Sequence, residues 1–498
     1  MIDNLLLAIA HVFHWQPLLA IVGGAFLGYA IGALPGVGPL LTIALLVPFT
    51  YGMDPATAIV GLISLYVAAE YGGAITAILM NTPGEAAAVA TSWDGYPMAQ
   101  RGEAEKALHI SIISSGFGAL LSSLLLIITA VPLAEFASRF GPSEYFMLAV
   151  LGLTLAAGLG GISPWRGLIA VALGLLVSTV GIDGISGYPR FSPSPMFYEG
   201  IPLVAALTGL YALSEVLVMV EDMARTQSKA QSVGSLLRFP LHIYRDLIGT
   251  MTRSSLIGFV IGVIPGAGAV IASLVAYHET VRVSKDPDSF GKGNPHGVAA
   301  AEAANNAAVP GAIAPLLALG IPGSSTAALL ASALMIQGIQ PGPLLFQKHP
   351  EVPYSIFVAL IIGVPVMVLV GIVGVKFWAK ITQVPKPMLA ALITVTCCIG
   401  AWSTANDIYP VYITLAFGLI GWLLRKCGIP LGPLVLAYVL GNMLEENFRR
   451  SALIAQGDPL VFADRPITLI LLALWLFAVF LAMRRRKPRP TTQAPLPR

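Results

Sequence analysis

Charged residues are scarce in this chain. Of its 498 residues, 11% are Asp, Glu, Lys or Arg and 56% are hydrophobic, whereas soluble domains carry about 25% charged residues. The mean hydropathy is +0.81. This composition excludes a soluble globular protein and indicates a multi-pass membrane protein that has the lipid bilayer as its surroundings. The net charge is only +3, and the basic residues are scattered between apolar runs, so no nucleic acid partner is expected.

Groups that carry covalent or metal chemistry are also few. The three cysteines, Cys397, Cys398 and Cys427, lack the spacing of metal ligands and are expected to be small apolar fillers. No G-x-x-x-x-G-K-[ST] loop is present, and the glycine clusters do not follow a strand, so neither ATP hydrolysis by that machinery nor dinucleotide binding is expected. The sequence therefore predicts a protein that is not an enzyme and has no cofactor.

One glycine-rich motif occurs twice. Residues 28–38 read GYAIGALPGVG and residues 258–268 read GFVIGVIPGAG. A further Pro-Gly pair follows each copy, at Pro83-Gly84 and Pro322-Gly323. Proline and glycine interrupt helices, and paired interruptions in corresponding halves of a membrane protein indicate the binding site of a transporter. Close packing of helices at glycine is the alternative explanation.

We predict an all-α polytopic fold of two inverted repeats, each with broken helices and a re-entrant hairpin, as in an elevator-like secondary transporter. The apolar segments beside each second Pro-Gly pair are about a dozen residues long, short of the roughly 20 that span a bilayer. The predicted units are a first repeat at 1–225 (hairpin tip near 81–85), a second repeat at 226–450 (tip near 320–326), an extra transmembrane helix at 451–483 and a basic cytoplasmic tail at 484–498.

Longer apolar runs predict full membrane spans. They lie at about 107–131, 144–160, 164–181, 200–220, 353–378, 386–400, 408–424, 430–447 and 466–483. Lys and Arg concentrate in alternate loops, and this bias predicts which loops are cytoplasmic. With the tail in the cytoplasm, the spans after the first hairpin start inside and those after the second start outside. We expect the hairpins to move past a scaffold made of these longer spans.

The two hairpin tips are the predicted substrate site. A helix that opens just after Pro-Gly presents free N–H groups and the positive end of its dipole, which suits an anion without a buried arginine. Plain N-capping explains the serines but not the symmetry. The predicted substrate-binding residues are Asn81, Thr82, Pro83, Gly84, Gly320, Pro322, Gly323, Ser324, Ser325 and Thr326.

The predicted coupling-ion site consists of unwound backbone and nearby amides. Carboxylates at membrane depth, namely Glu70, Glu85 and Glu302, are costly to bury and indicate function. Oxygen ligands of this kind suit Na⁺, whereas a carboxylate can instead carry a proton. The sequence therefore allows either Na⁺ or H⁺ as the coupling ion. No metal beyond Na⁺ is expected. The predicted ion-coupling residues are Gly36, Gly38, Gly266, Gly268, Asn305 and Asn306.

Five stretches carry a family resemblance. They read GALPGVGPL at 32–40, NTPGEAAAVAT at 81–91, AEAANNAA at 301–308, LGIPGS at 319–324 and GIQPGPLLF at 338–346. Together they resemble the large membrane subunit of the tripartite tricarboxylate transporters, the TctA family. The resemblance implies a multi-pass transporter of the bacterial inner membrane that works with a small transmembrane subunit and a periplasmic solute-binding protein. It also implies ion-driven symport of carboxylate substrates, typically citrate-like tricarboxylates.

Two other classes are alternatives. A passive channel or pore for small organic anions is expected to show rings of charge or polar stripes along whole spans, and these spans are almost uncharged. A membrane enzyme that acts on lipid needs a nucleophile–base pair or a metal cluster, and the sequence spaces no such group.

Overall fold

The chain folds almost entirely into α-helices. The computed structural model describes residues 2–34, 36–159, 163–221, 236, 243–382, 384–456, 458, 462 and 465–484. Seven helices in this part of the chain are long and apolar enough to cross a membrane. The predicted all-α polytopic membrane protein is therefore confirmed. The predicted repeat boundary at 225/226 and the tail after Arg484 lie outside the described residues.

Ten helices make up the described first half of the chain. They are α1 (Ile2–Val12), α2 (Trp15–Gly32), α3 (Pro39–Leu46), α4 (Pro55–Met80), α5 (Val89–Gln100), α6 (Ala104–Ala137), α7 (Pro142–Leu159), α8 (Pro164–Ser178), α9 (Leu203–Thr208) and α10 (Ser214–Glu221). A π-helical turn, Gly209–Leu213, joins α9 to α10. Between α8 and α9 lie two short antiparallel strands, β1 (Gly181–Ile182) and β2 (Pro189–Arg190).

The described second half also contains ten helices. They are α11 (Ile243–Val263), α12 (Gly268–Val283), α13 (Pro295–Leu319), α14 (Ser325–Ile336), α15 (Leu345–Lys348), α16 (Glu351–Ile381), α17 (Lys386–Ser403), α18 (Tyr409–Lys426), α19 (Leu431–Ile454) and α20 (Pro466–Arg484). Helices α2 to α6 alternate between long and short, beginning and ending with a long helix. The same alternation of helix lengths recurs in α11 to α14 and α16. Helices α4 and α13 have 26 and 25 residues, and α5 and α14 have 12 each.

The first arm of each hairpin differs from the sequence prediction. The sequence predicted apolar segments of about a dozen residues beside each tip, but helix α4 runs unbroken from Pro55 to Met80, through Gly72 and Gly73. It is about 39 Å long at ~1.5 Å per residue, and α13 is of similar length. The glycines of α4 permit close approach instead of ending the helix: a Cβ at Gly72 would lie 2.7 Å from the carbonyl carbon of Gly32. Only the second arms, α5 and α14, are short.

The first glycine of each repeated motif packs two helices together. A Cβ at Gly28 of α2 would lie 2.6 Å from the carbonyl oxygen of Leu65 in α4. A Cβ at Gly258 of α11 would lie 2.4 Å from the carbonyl oxygen of Ala304 in α13. Both distances are far inside van der Waals contact, so only glycine fits. For these two positions, close packing of helices is the explanation that holds.

The helices pack in two sets. In the first set, α4 and α13 are almost wholly buried, and α2, α6, α11 and α16 pack against them. In the second set, α19 packs against α7 and α8, and α18 packs against α10 and α17. The two longest helices, α6 and α16, belong to the first set because they contact α13 and α4. The short helices α3 and α14 contact each other and lie between the sets.

The β-hairpin is tied to the end of α19 by charged groups. The buried carboxylate of Asp183 accepts hydrogen bonds from the main-chain N–H of Ser186 and from the guanidinium of Arg449, and both partners hold the pKa of Asp183 well below its usual range. Arg190 of β2 forms ion pairs with Asp183 and with Glu445 of α19, at 3.2 and 2.6 Å. This network fixes the loop between α8 and α9 on one end of the second set.

Candidate functional site

The two Pro-Gly-x-Gly motifs interrupt helices as the sequence predicts. Helix α2 ends at Gly32 and α3 begins at Pro39, whereas α11 ends at Val263 and α12 begins at Gly268. Gly36 and Gly266 have almost the same φ, 79° and 80°, in the left-handed region. L residues rarely adopt this conformation, so glycine is required at both positions.

The two hairpin tips share one backbone geometry. Helix α4 ends in a left-handed residue, Asn81 at φ 51°, and α13 ends in Gly320 at φ 74°. Four residues later the chain is extended in both tips, at φ −142° and ψ 164° for Glu85 and at φ −144° and ψ 165° for Ser324. The same backbone therefore places an acid in the first tip and a hydroxyl in the second.

Each tip folds back onto its own long helix. The N–H of Gly84 donates to the carbonyl of Gly73, and the N–H of Gly323 donates to the carbonyl of Ala312, both at 3.2 Å. A Cβ at Gly84 would lie 2.6 Å from the Cα of Gly73, and a Cβ at Gly323 would lie 2.7 Å from the Cα of Ala312. These two glycines are thus needed for close backbone contact.

Both breaks and both tips line one central cavity of about 660 Å³. The predicted site residues that line it are Gly36, Gly38, Pro83, Gly84, Gly266, Gly268, Ser324, Ser325 and Thr326, and the two acids Glu70 and Glu85 join them. The other predicted residues are not part of this lining. They are Asn81, Thr82, Gly320, Pro322, Gly323, Asn305 and Asn306.

Contacts between the two halves close the cavity. The hydroxyl of Tyr66 in α4 shares a hydrogen bond of 3.3 Å with Ser324 of the second tip. The first tip is held in turn by the second half: Ser273 of α12 donates a hydrogen bond of 2.9 Å to the carbonyl of Ala87, just after the first tip. Each tip is therefore held by an element of the other half, which brings the two tips to one site.

The first tip forms an acidic cluster at the cavity wall. Glu70 is 3% exposed, and it lines the same cavity as Glu85, near enough for the two charges to interact. The Oε1 atom of Glu85 also accepts a hydrogen bond of 2.9 Å from Nδ2 of Asn305. Two neighbouring carboxyl groups repel each other when both are ionised, so this arrangement suits a bound proton or cation.

The amide oxygens of Asn305 and Asn306 are open acceptors. Both residues are fully buried. Nδ2 of Asn306 donates to the carbonyl of Val67 at 3.1 Å, but within the described part of the chain neither Oδ1 atom has a hydrogen-bond partner. A buried acceptor without a partner is costly, and a bound cation would satisfy it.

Glu302 differs from the acids of the first tip. It is fully buried, and each carboxyl oxygen accepts a hydroxyl, from Thr91 at 2.5 Å and from Ser115 at 2.7 Å. These bonds tie α13 to α5 and α6. Because Glu302 does not line the cavity, its place is structural.

Four polar residues of the cavity wall were not predicted from the sequence. They are Tyr66, Tyr211, Glu215 and Arg425. Glu215 of α10 and Arg425 of α18 form an ion pair, so the wall carries an arginine in addition to the helix N-terminus on which the sequence argument relied. The signal for Glu215 was available, since a carboxylate within an apolar span indicates function. Arg425 gave no such signal, because it directly follows the apolar run at 408–424.

Broken helices that meet at a central cavity in a multi-pass helical membrane protein are typical of secondary transporters. The chain belongs to the tripartite tricarboxylate transporter TctA family, whose model matches residues 18–436. This match confirms the resemblance that the motifs predicted, and the family is one of transporters.

Two relatives from Agrobacterium vitis are similar to the chain. An uncharacterized 52.8 kDa protein in the TAR-I ttuC' 3' region is 38% identical over 461 residues, which is 92% of each chain. An uncharacterized protein in the TAR-II ttuC' 3' region is 38% identical over 226 residues, which is 45% of this chain and 93% of the relative.

Proposed function

We propose that the chain is the large transmembrane subunit of a tripartite, ion-gradient-driven and binding-protein-dependent uptake system for tricarboxylates or related, citrate-like carboxylates. Its partners in the bacterial inner membrane and periplasm are a small transmembrane subunit and a solute-binding protein. Membership of the TctA family supports this proposal. The structural observation that carries it is the single cavity where both helix breaks and both tips meet.

The substrate carboxylate is proposed to bind at the second tip. Ser324 accepts the N–H of Ala327 at 3.1 Å and so caps α14, while Ser325 and Thr326 line the cavity. The first turn of a helix carries N–H groups and a positive dipole end, which stabilise an anion. The cavity volume of about 660 Å³ is in the range of roughly 300–1,000 Å³ that small-molecule sites occupy.

The coupling ion is proposed to bind at the first tip. Glu70, Glu85 and Asn305 supply oxygen ligands or a proton site there. Gly38 lies against Glu85, since a Cβ at this glycine would be 3.2 Å from the Cβ of Glu85. Na⁺ and H⁺ both fit such a group. Gly266 and Gly268, predicted as ion ligands from the sequence, lie instead beside the second tip, where the N–H of Gly266 donates to the carbonyl of Gly323.

Transport is proposed to follow an elevator-like movement of two inverted repeats. The cavity is walled by α4, α12 and both tips from one side and by α10, α18 and α19 from the other, so it lies between the two sets of helices. We assign α6 and α16 to the moving set, not to the scaffold that the sequence predicted, because they pack on α13 and α4. Sliding of one set against the other would carry the site across the membrane.

The test is uptake into proteoliposomes that contain the chain and both partners. A panel of labelled carboxylates is offered with a Na⁺ gradient, with a pH gradient and with neither. We expect accumulation above the external concentration only with a gradient, and little high-affinity uptake by the chain alone. Equilibration without accumulation under every gradient would identify a passive channel, and full transport by the chain alone would contradict the tripartite system.

A further inference from the structure

A second cavity of about 470 Å³ adjoins the central one. Five residues line both cavities, namely Leu40, Tyr211, Ser325, Arg425 and Gly432. The second cavity is also lined by Arg166, and its described lining contains no Asp or Glu. It therefore forms a positively charged continuation of the central cavity, which suits the entry or exit of an anion.

Arg425 lies where the two cavities join. It is at the end of α18, and its guanidinium pairs with the carboxylate of Glu215 in α10, while the side chains are 32% and 16% exposed. Glu215 lies in turn against the first helix break, since a Cβ at Gly36 would be 3.5 Å from its Oε1 atom. The ion pair thus links α18 to the break and faces the cavity.

Within the described wall of the central cavity, Arg425 is the one cationic side chain. Arginine binds carboxylates in a bidentate, charge-assisted geometry. Breaking its pair with Glu215 would be unfavourable by itself, because a half-buried charge would lose its partner. A substrate carboxylate that replaces that of Glu215 restores the contact of Arg425, whereas the displaced carboxylate of Glu215 loses its partner and so opposes substrate binding.

We propose that Arg425 binds one carboxylate of the substrate and that Glu215 holds the guanidinium when the site is empty. This inference rests on the proposed function and deepens it. Ser325 lies between the two anion-binding groups, since it follows the cap residue of α14 and lines both cavities, as Arg425 does. A substrate with two or more carboxylates can therefore contact the α14 N-terminus and Arg425 together, and this selects polycarboxylates over monocarboxylates.

The test compares variants of this pair in two separate measurements. Binding is measured as the citrate-induced shift in melting temperature of the purified chain, and uptake is measured in proteoliposomes with both partners. Arg425→Gln is expected to weaken citrate binding about tenfold or more, as loss of a charge-assisted hydrogen bond does. Arg425→Lys is expected to lose less. Glu215→Gln is expected to keep binding, and to tighten it, because the competing carboxylate is gone.

The double variant Glu215→Arg with Arg425→Glu tests whether Arg425 binds substrate or only stabilises the fold through its ion pair. It restores an ion pair but moves the cation to α10, so we expect a folded protein that does not bind citrate. The matched control exchanges Arg282 and Glu279, an exposed pair at 2.8 Å on α12, and is expected to behave like the parent. Citrate binding and uptake by the Glu215/Arg425 exchange would overturn the inference, as would parental binding by Arg425→Gln.

The two measurements also separate this inference from the proposed function. A parent protein that binds citrate through Arg425 but never accumulates it with its partners would support the inference and contradict ion-driven uptake. A parent that accumulates citrate while Arg425→Gln binds it equally well would leave the proposed function intact and overturn the role of Arg425.

Discussion

The two hairpin tips have the same backbone but opposite side-chain chemistry. Glu85 and Ser324 occupy equivalent extended positions with φ and ψ that differ by about 2°. Glu85 accepts a hydrogen bond from Asn305, whereas Ser324 caps a helix and shares a hydrogen bond with Tyr66. We propose that the glycine and proline pattern determines where a site forms, while the residue just after Pro-Gly determines which charge the site accepts.

The helix that follows each tip reinforces this difference. Ser324 directly precedes α14, so the N–H groups of a regular helix face the cavity. After Glu85, by contrast, a 3₁₀ turn at Ala86–Ala88 comes before α5. A carboxylate at that position repels a substrate anion and attracts a cation or a proton. Our proposal therefore gives the substrate to the second tip and the coupling ion to the first.

The largest expected effect tests whether the two tips are equivalent in backbone packing. Gly84→Val and Gly323→Val should each prevent normal folding, because their Cβ atoms would lie 2.6 and 2.3 Å from backbone atoms. Overpacking costs about 1–3 kcal/mol or more. The check is the amount of monodisperse protein extracted from membranes and its melting temperature. Gly23→Val, where a Cβ meets nothing within 4 Å, is the control. If only one of the two valine variants failed to fold, the two tips would not be equivalent in backbone packing.

A smaller but still strong effect is expected when the second tip is given the chemistry of the first. Ser324→Glu places a carboxylate at the start of α14, where it competes with the substrate for the same N–H groups. We expect at least a tenfold rise in the citrate concentration needed for half-maximal uptake, from loss of an anion–dipole contact and added repulsion. Ser324→Gln, similar in size but neutral, controls for bulk. Equal uptake by the two variants would show that no anion binds there.

The smallest effect compares a hydroxyl in each tip. Ser324→Ala removes one hydrogen-bonding group, worth about 0.5–1.5 kcal/mol, so apparent citrate affinity should fall several-fold. Thr82→Ala should leave affinity unchanged, because Thr82 donates to the carbonyl of Met80 at 3.2 Å and does not line the cavity. Uptake at varied citrate concentration measures both. An equal loss in the two variants would mean that both tips bind substrate, as the sequence alone predicted.

Much of the fold followed from the sequence because its signals are local. Long apolar runs predicted α6 to α8 and α16 to α20 within about three residues of the observed bounds, except that α6 ends at Ala137, not 131, and α19 at Ile454, not 447. Pro-Gly pairs predicted the helix breaks and the tips, since these residues act on their own backbone. The unbroken helix α4 was missed because Gly72 and Gly73 have two uses, ending a helix or allowing close packing. Only the neighbours in space decide between them.

The side-chain partners of the site could not be predicted in the same way. Glu85 and Asn305 are 220 residues apart in sequence, and Glu215 and Arg425 are 210 apart. No pattern within one helix reveals such a pair. Glu70, Glu85 and Glu302 look alike in the sequence as acids among apolar and small residues, yet hydroxyls satisfy only Glu302 on both oxygens. The distinction between a structural and a cavity-facing carboxylate therefore needed the structure.

The central proposal is that the first tip binds the coupling ion and the second tip binds the substrate. Its most direct test uses Glu85→Gln in proteoliposomes with both partners. Citrate exchange across the membrane at equal concentrations needs the substrate site, whereas accumulation in a Na⁺ or pH gradient also needs the coupling ion. We predict that Glu85→Gln keeps exchange and loses accumulation, while Glu105→Gln, an exposed residue of α6, keeps both. Loss of exchange and accumulation together, or accumulation at the parental level, would contradict the assignment of the ion to the first tip.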